Sequence, residues 1–143
     1  MRLAGVEIPA AVHLIGHSDG DAVCHAVTDA ILGGAALGDI GTMFPDTDAA
    51  NTGRDSLEML AAAVDRARMK GWHVVNVDVA VVTEVPKLAP HRDLMRDNLS
   101  RVLGVGTGAV SIKGKTNELM GWIGRGEGLA CIAVATITRK GGE

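Results

Sequence analysis

From Leu3 to Ile8 apolar residues alternate with others until Pro9 stops the run, a spacing that predicts a short strand. The next apolar block follows Asp19-Gly20-Asp21. A carboxylate there can accept the free N–H groups of a helix start, so a helix is predicted from Ala22 to Leu37. A second helix is predicted to open at Asp55 or Ser56. Leu57, Leu60, Ala61, Val64 and Ala67 form its apolar stripe, and Gly71 ends it. Val74 to Val82 predicts a strand with Val75, Val77, Val79 and Val81 on one face and Asn76, Asp78 and Ala80 on the other. Pro90 suits the first turn of a third helix that buries Leu94, Met95, Leu99, Val102 and Leu103. Val110 to Lys115 and Leu129 to Thr138 predict two further strands.

These elements predict an α/β (α+β) two-layer sandwich: a mixed sheet of four or more strands with three helices on one face. The last strand, "LACIAVATIT", is apolar on both sides. A strand with one solvated face should alternate with polar residues. The face opposite the helices therefore needs a partner, most simply further copies in a closed cyclic homo-oligomer. The loop "GDIGTMFPDTDAANTG", Gly38 to Gly53, is long for a compact domain, and such loops are usually functional or mobile.

Composition narrows the picture. The 143 residues suit one domain, and with only 2% aromatics the core must be built from Val, Ala, Leu and Ile. A net charge of -3 leaves no electrostatic footprint for nucleic acid. No apolar run reaches the ~18 residues of a membrane span, and "MRLAGVEIPA" is too short and polar for a secretory signal. Cys24 and Cys131, far apart, fit a reduced cytoplasmic protein.

Asp21, His25 and Asp29 share one helix face, where a carboxylate one turn away can fix a histidine tautomer. For a lone histidine, a cap with a solvated stripe is the plainer alternative. His17 precedes the cap, where helix N–H groups attract anions. The long loop adds Asp39, Asp46 and Asp48, and "EVPKLAPH" presents Lys87 between two prolines. "GKT" ends like a phosphate-binding loop, but Ala109 stands at its first glycine position and the segment reads as a strand. What remains is a strand end with Lys115, Thr116, Asn117 and Glu118, which offers phosphate donors and a metal-capable carboxylate. A phosphate-rich ligand with a divalent metal is the chemistry this pattern supports.

"HSDGDAVCHAVTDAILGGAALGDIGTMFPDTD", then "PKLAPH", then "KGKTNELMGWIGRGEGLAC", resemble the 2-C-methyl-D-erythritol 2,4-cyclodiphosphate synthase family, with the motifs in order from about Leu3 to the C-terminus. The resemblance implies a homotrimer with sheets packed round a three-fold axis and active sites between subunits. It implies intramolecular phosphoryl transfer in the non-mevalonate isoprenoid pathway: 4-diphosphocytidyl-2-C-methyl-D-erythritol 2-phosphate closes to the cyclic diphosphate and CMP leaves. His17 and Thr116 would stabilise the transition state, and His17 and Ser18 would bind the phosphate region of the erythritol end. His25 would ligate zinc. Asp39, Ile40 and Gly41 would hold the ribose, and Phe44, Pro45, Asp46, Thr47 and Asp48 the erythritol. The Thr83 to Ala89 segment, with Lys87 and Leu88, would form the cytosine pocket. Lys115, Thr116 and Asn117 would meet the phosphates, and Glu118 would hold magnesium or manganese. Trp122 stands where the family commonly has Phe, and Arg125 and Glu127 would line a central cavity able to take an isoprenoid diphosphate.

The family zinc has three protein ligands, two from an Asp-x-His on a strand before the one at Leu3, and this sequence matches only His25. His13 precedes the helix by a loop, and Cys24 points about 100° away from His25, so neither is a natural substitute. A longer natural chain, a segment outside this numbering, and a real loss all stay open. The expectations are weak zinc binding, lower stability from an exposed sheet edge, and, as the alternative function, a trimeric module that binds cytidine phosphates or isoprenoid diphosphates without turnover.

Overall fold

The computed structural model describes residues 1–10 and 19–139. The predicted first strand is instead a hairpin, β1 (Arg2–Leu3) and β2 (Val6–Glu7), pairing Arg2 with Glu7 and Leu3 with Val6. Ala4 and Gly5 turn the chain at positive φ, 49° and 74°. Alternation alone misread this stretch because the turn is fixed from elsewhere: Asp21 accepts the Ala4 and Gly5 N–H groups at 2.8 and 2.7 Å.

The helices are α1 (Ala22–Gly34), the short α2 (Ile40–Met43), α3 (Ser56–Met69), α4 (Arg92–Leu103) and the short α5 (Gly121–Gly124). α1 stops before Leu37 because the chain reverses at Ala36 (φ 56°), and the Leu37 N–H returns to the Leu32 carbonyl at 2.8 Å. Asp55 caps α3. Its buried stripe is Met59, Leu60, Ala63, Val64 and Ala67, so Met59 and Ala63 join it, while Leu57 and Ala61 are only half-buried. On α4 the buried positions are Met95, Leu99 and Leu103, one turn apart, with Ser100. Leu94, expected inside, lies off that stripe and is exposed.

The expected sheet of four or more strands has three among the described residues, in the order β4 (Val110–Lys115), β3 (Trp72–Val82), β5 (Ala130–Arg139). β4 runs parallel to β3 and β5 antiparallel. Directly paired residues share a face. Val77, Val79 and Val81 pair with Ala135, Ala133 and Cys131, and Val77 and Val79 also pair with Val110 and Ile112. Those residues build the core under α1, α3 and α4, and each fully buried valine contributes roughly 1.5–3 kcal/mol. The absence of a side chain at Gly34 lets the end of α1 lie close to β5: a Cβ there would stand 3.1 Å from Ile137 Cδ1. Val75, assigned to the valine face, is exposed, because a bulge between Val74 and Asn76 shifts the register there.

The outer face carries Asp78 opposite Val134 and Ala80 opposite Ile132. Val134 and Ile132 are 65% and 62% exposed, as the two-sided apolar pattern of β5 implies. At the other end of β3, Val82 pairs with Lys115, and the Thr83 N–H continues the ladder to the Lys115 carbonyl at 2.8 Å. The segments after these two parallel strands therefore leave the sheet side by side. The carboxyl ends of parallel strands are where open α/β sheets hold ligands.

Candidate active site

Two clefts gather the residues singled out by the sequence. The first, about 240 Å³, is lined by His25, Ile40, Gly41, Phe44, Asp46, Asn51 and Met59. Its frame starts at Asp21, the N-cap of α1, which accepts the Cys24 N–H at 3.0 Å as well as the two hairpin amides. Burial pushes the Asp21 carboxyl above the ordinary carboxylate range, against the pull of those three donors. Asp19, expected to help cap α1, faces α3 instead. It accepts the Ser56 N–H at 3.0 Å and a very short bond from the Ser56 hydroxyl. Partial burial works to raise its carboxyl, but these bonds, the Asp21 N–H and the Arg2 charge together hold it below the usual value.

His25 stands one turn into α1, its Nε2 2.9 Å from Ser56 Oγ. The one Ser56 proton is donated to Asp19, so its oxygen accepts from the imidazole. Asp21 is committed to backbone amides and Asp29 accepts the Ile40 N–H at 2.8 Å, while Ser56 holds the histidine at Nε2. Sequence periodicity missed Ser56, whose only signal was its place beside a helix cap.

The long loop is folded rather than open. Asp39 caps α2, accepting the Thr42 N–H and hydroxyl at 2.7 and 2.8 Å, and these bonds lower its carboxyl pKa. Asp48 accepts the Ala50 N–H at 2.9 Å, and buried Asn51 donates to the Pro45 carbonyl at 2.9 Å. Arg54 lies 4.7 Å over the Phe44 ring. Ile40, Gly41, Phe44 and Asp46 thus join His25, whereas Asp39, Pro45, Thr47 and Asp48 shape the loop without lining this cavity.

The second cleft, about 180 Å³, lies where β3 and β4 end. It is lined by Thr83, Glu84, Pro86, Lys87, Leu88, Ala89, Arg92, Gly114, Lys115 and Thr116. Two segments far apart in the sequence meet here because their strands pair in parallel. Thr83 Oγ1 donates to the Val85 carbonyl at 2.5 Å and Leu88 is buried over Gly114, which fixes the shape of the wall. Asn117 and Glu118 follow in a turn beside the cleft. The Glu118 carboxylate has no hydrogen bond or ion pair among the described residues, while its N–H reaches Thr116 Oγ1 at 3.4 Å. Arg92 was not foreseen; its buried Nε has no partner among the described residues.

Trp122 and Arg125 line neither cleft. Trp122 is half-exposed and Arg125 forms a two-pronged pair with Glu127 at 2.9 and 3.2 Å. His13, His17 and Ser18 lie outside the described residues. Cys24 faces the core and burial drives its thiol pKa up, so it offers no thiolate to the His25 cleft. Among the described residues no three His, Cys, Asp or Glu side chains gather as a metal cage.

The profile of the YgbB family matches residues 1–138. The chain belongs to this family. The 2-C-methyl-D-erythritol 2,4-cyclodiphosphate synthase of Gemmatimonas aurantiaca is 63% identical over 141 residues, covering 99% of this chain and 85% of that protein. The synthase of Chromobacterium violaceum is 52% identical, covering 96% and 87%. Among solved structures, the bifunctional IspDF of Campylobacter jejuni superposes with a TM-score of 0.93 at 39% identity, covering 97% of this chain and 38% of that longer one. The Plasmodium falciparum IspF CDP complex gives 0.84 at 36% identity, covering 96% and 83%. The YgbB family is thus the one that the "HSDGD", "DIG…FPDTD" and "KTNE" motifs pointed to.

Proposed function

We propose that the chain is a 2-C-methyl-D-erythritol 2,4-cyclodiphosphate synthase of the non-mevalonate isoprenoid pathway. In the reaction a 2-phosphate oxygen of 4-diphosphocytidyl-2-C-methyl-D-erythritol 2-phosphate attacks the β-phosphorus. A new P–O–P bond closes the ring, the α–β bridge breaks, and CMP leaves with the bridging oxygen. The observation that carries the reading is the second cleft, where the Thr83–Ala89 wall meets Lys115 and Thr116, together with the likeness to a synthase solved with CDP.

The reaction needs alignment and charge neutralisation more than covalent help. The Thr83–Ala89 wall, with Leu88 beneath it, takes the cytosine, and Lys87 and Lys115 offset phosphate charge. Thr116 donates from Oγ1 to the α-phosphate side. Asp39, Ile40 and Gly41 hold the ribose, and the Phe44–Asp48 loop, through Asp46, holds the erythritol hydroxyls. Holding both ends of one substrate removes up to ~7–11 kcal/mol of entropic barrier. His17 and Ser18 act on the phosphate nearest the start of α1. Glu118, a carboxylate beside Thr116 with no partner among the described residues, suits magnesium or manganese, which bind through one carboxylate and substrate phosphate oxygens. When bound, that ion neutralises developing charge on the phosphates. Zinc fits less well. The described residues offer it His25 alone of a three-ligand set, and no step here is routed through it.

The exposed Ile132 and Val134 support a homotrimer closed through the outer sheet face. In that assembly the two clefts of neighbouring copies complete one site, and Arg125 with Glu127 face a central cavity suited to an isoprenoid diphosphate. No helix among the described residues is long and apolar enough to cross a membrane, and we read the enzyme as cytoplasmic. Incubating the protein with its substrate and Mg²⁺ should release CMP and the cyclic diphosphate in equal amounts. Binding of CDP without CMP release would reduce the protein to a binding module and overturn the reading.

A further inference from the structure

Glu84 lies in the wall of the second cleft. A carboxylate beside a phosphate ligand opposes binding unless its charge is taken up. Here both oxygens are committed: one accepts the Asn117 N–H at 2.7 Å and the other the Leu119 N–H at 3.2 Å. Two amides two residues apart that converge on one anion form a nest of the kind that binds phosphate.

The turn that offers these amides is held under strain. Glu118 and Leu119 both sit in the left-handed region, φ 53° and 62°, without being glycine. Such a backbone persists only where its surroundings over-determine it. On one side Gly124 lets α5 press against the turn; a Cβ there would stand 2.1 Å from the Leu119 carbonyl carbon. Within the turn, Asn117 Nδ2 donates to the Met120 carbonyl at 2.8 Å. On the cleft side the restraint is Glu84.

We propose that Glu84 is a positioning residue: it fills the Asn117–Leu119 nest with a resident anion and so fixes Thr116 and Glu118 for the diphosphate and its metal. With the nest occupied, the ligand phosphates cannot settle on those amides and are left to Lys115, Thr116 and the cation at Glu118. The inference rests on the synthase reading for its ligand.

Glu84→Gln and Glu84→Ala in the full chain test it. Glutamine keeps one carbonyl acceptor and turns an NH₂ toward the other amide, so it should rescue in part. Mn²⁺ affinity in the presence of CDP, followed by the paramagnetic signal of the ion, should fall about tenfold or more in Glu84→Ala and less in Glu84→Gln. Metal-free CDP affinity should fall clearly less than Mn²⁺ affinity. The rate of CMP release should fall in kcat with little change in KM. Wild-type Mn²⁺ affinity and kcat in Glu84→Ala would overturn the proposal, as would a parallel loss of metal-free CDP binding, which marks general damage to the cleft. If Glu84→Ala fails to fold, the Glu84→Gln values decide by the same criteria. A wild-type protein that binds Mn²⁺ with CDP but releases no CMP would refute the reaction while the Mn²⁺ measurements still decide the role of Glu84.

Discussion

Around His25 the elements that form the wall are held from behind by carboxylates turned onto the backbone. Asp19 holds the start of α3, Asp21 the start of α1 and the hairpin, and Asp29 and Asp39 hold α2. At the second cleft the wall is the chain itself, two strand continuations joined by the Thr83 N–H and by Glu84. The first wall is continuous with the core, since Asp21 is fully buried among residues that pack α1. The second hangs from the ends of β3 and β4. Damage to the first should therefore appear in global stability, and damage to the second in ligand binding.

Asp21→Ala should give the largest effect. It strands the Ala4, Gly5 and Cys24 amides, with Ala4 and Cys24 fully buried. Hydrogen bonds to a charged acceptor are worth more than neutral ones, and a loss of about 3 kcal/mol is expected. Urea unfolding should show the midpoint shift with the hairpin and α1 released together. A shift no larger than that of an exposed surface variant would break the claim that this wall belongs to the core.

Acid should separate Asp19 from Asp21. Asp19 is lowered in the folded state, so its contribution is complete above about pH 4 and is lost as pH falls through the lowered value. Asp21 is raised, so the folded state takes its proton first and its contribution grows as pH falls, with opposite sign. Asp19→Asn should flatten the fall of Tm below ~pH 4. An unchanged acid limb would show that the Asp19–Ser56 contact does not govern this wall.

The same contrast explains what was legible in the sequence. The starts of α1 and α3 and the Val110–Lys115 strand were readable because caps and alternation are local, and Asp21 and Asp55 cap where expected, whereas Pro90 lies in a 3-10 turn just before α4. The Ala4–Gly5 turn was not readable, because the carboxylate that fixes it lies about seventeen residues downstream. Ser56 as the partner of His25, and Glu84 as the partner of Asn117, were hidden for the same reason, at separations of 31 and 33 residues. Val75 was misplaced because a bulge has no periodic signature. Most residues that line the clefts were reached through motifs, with Asn51, Met59 and Arg92 among the exceptions, whereas Ser56 and Glu84 in their supporting roles were not. Local pattern reports what an element is made of, and tertiary contacts decide which way its polar groups turn.

The smallest effect, and the sharpest test of the second wall, is Thr83→Val. The change keeps a β-branched residue at the end of β3 and removes the hydroxyl that donates to the Val85 carbonyl. Thr83 is buried but Val85 is exposed, so water can satisfy the released carbonyl. The loss of stability should stay near 0.5 kcal/mol, the low end for a single hydrogen bond. The Thr83–Ala89 segment would then hold its shape less firmly, and CDP affinity should fall about threefold, equivalent to roughly 0.7 kcal/mol. Calorimetric titration with CDP beside a thermal melt gives both numbers from one preparation. A large drop in Tm with unchanged CDP affinity would reverse the assignment, making the Thr83 hydroxyl a support of the core and leaving the cleft wall to Leu88 and the β3–β4 ladder.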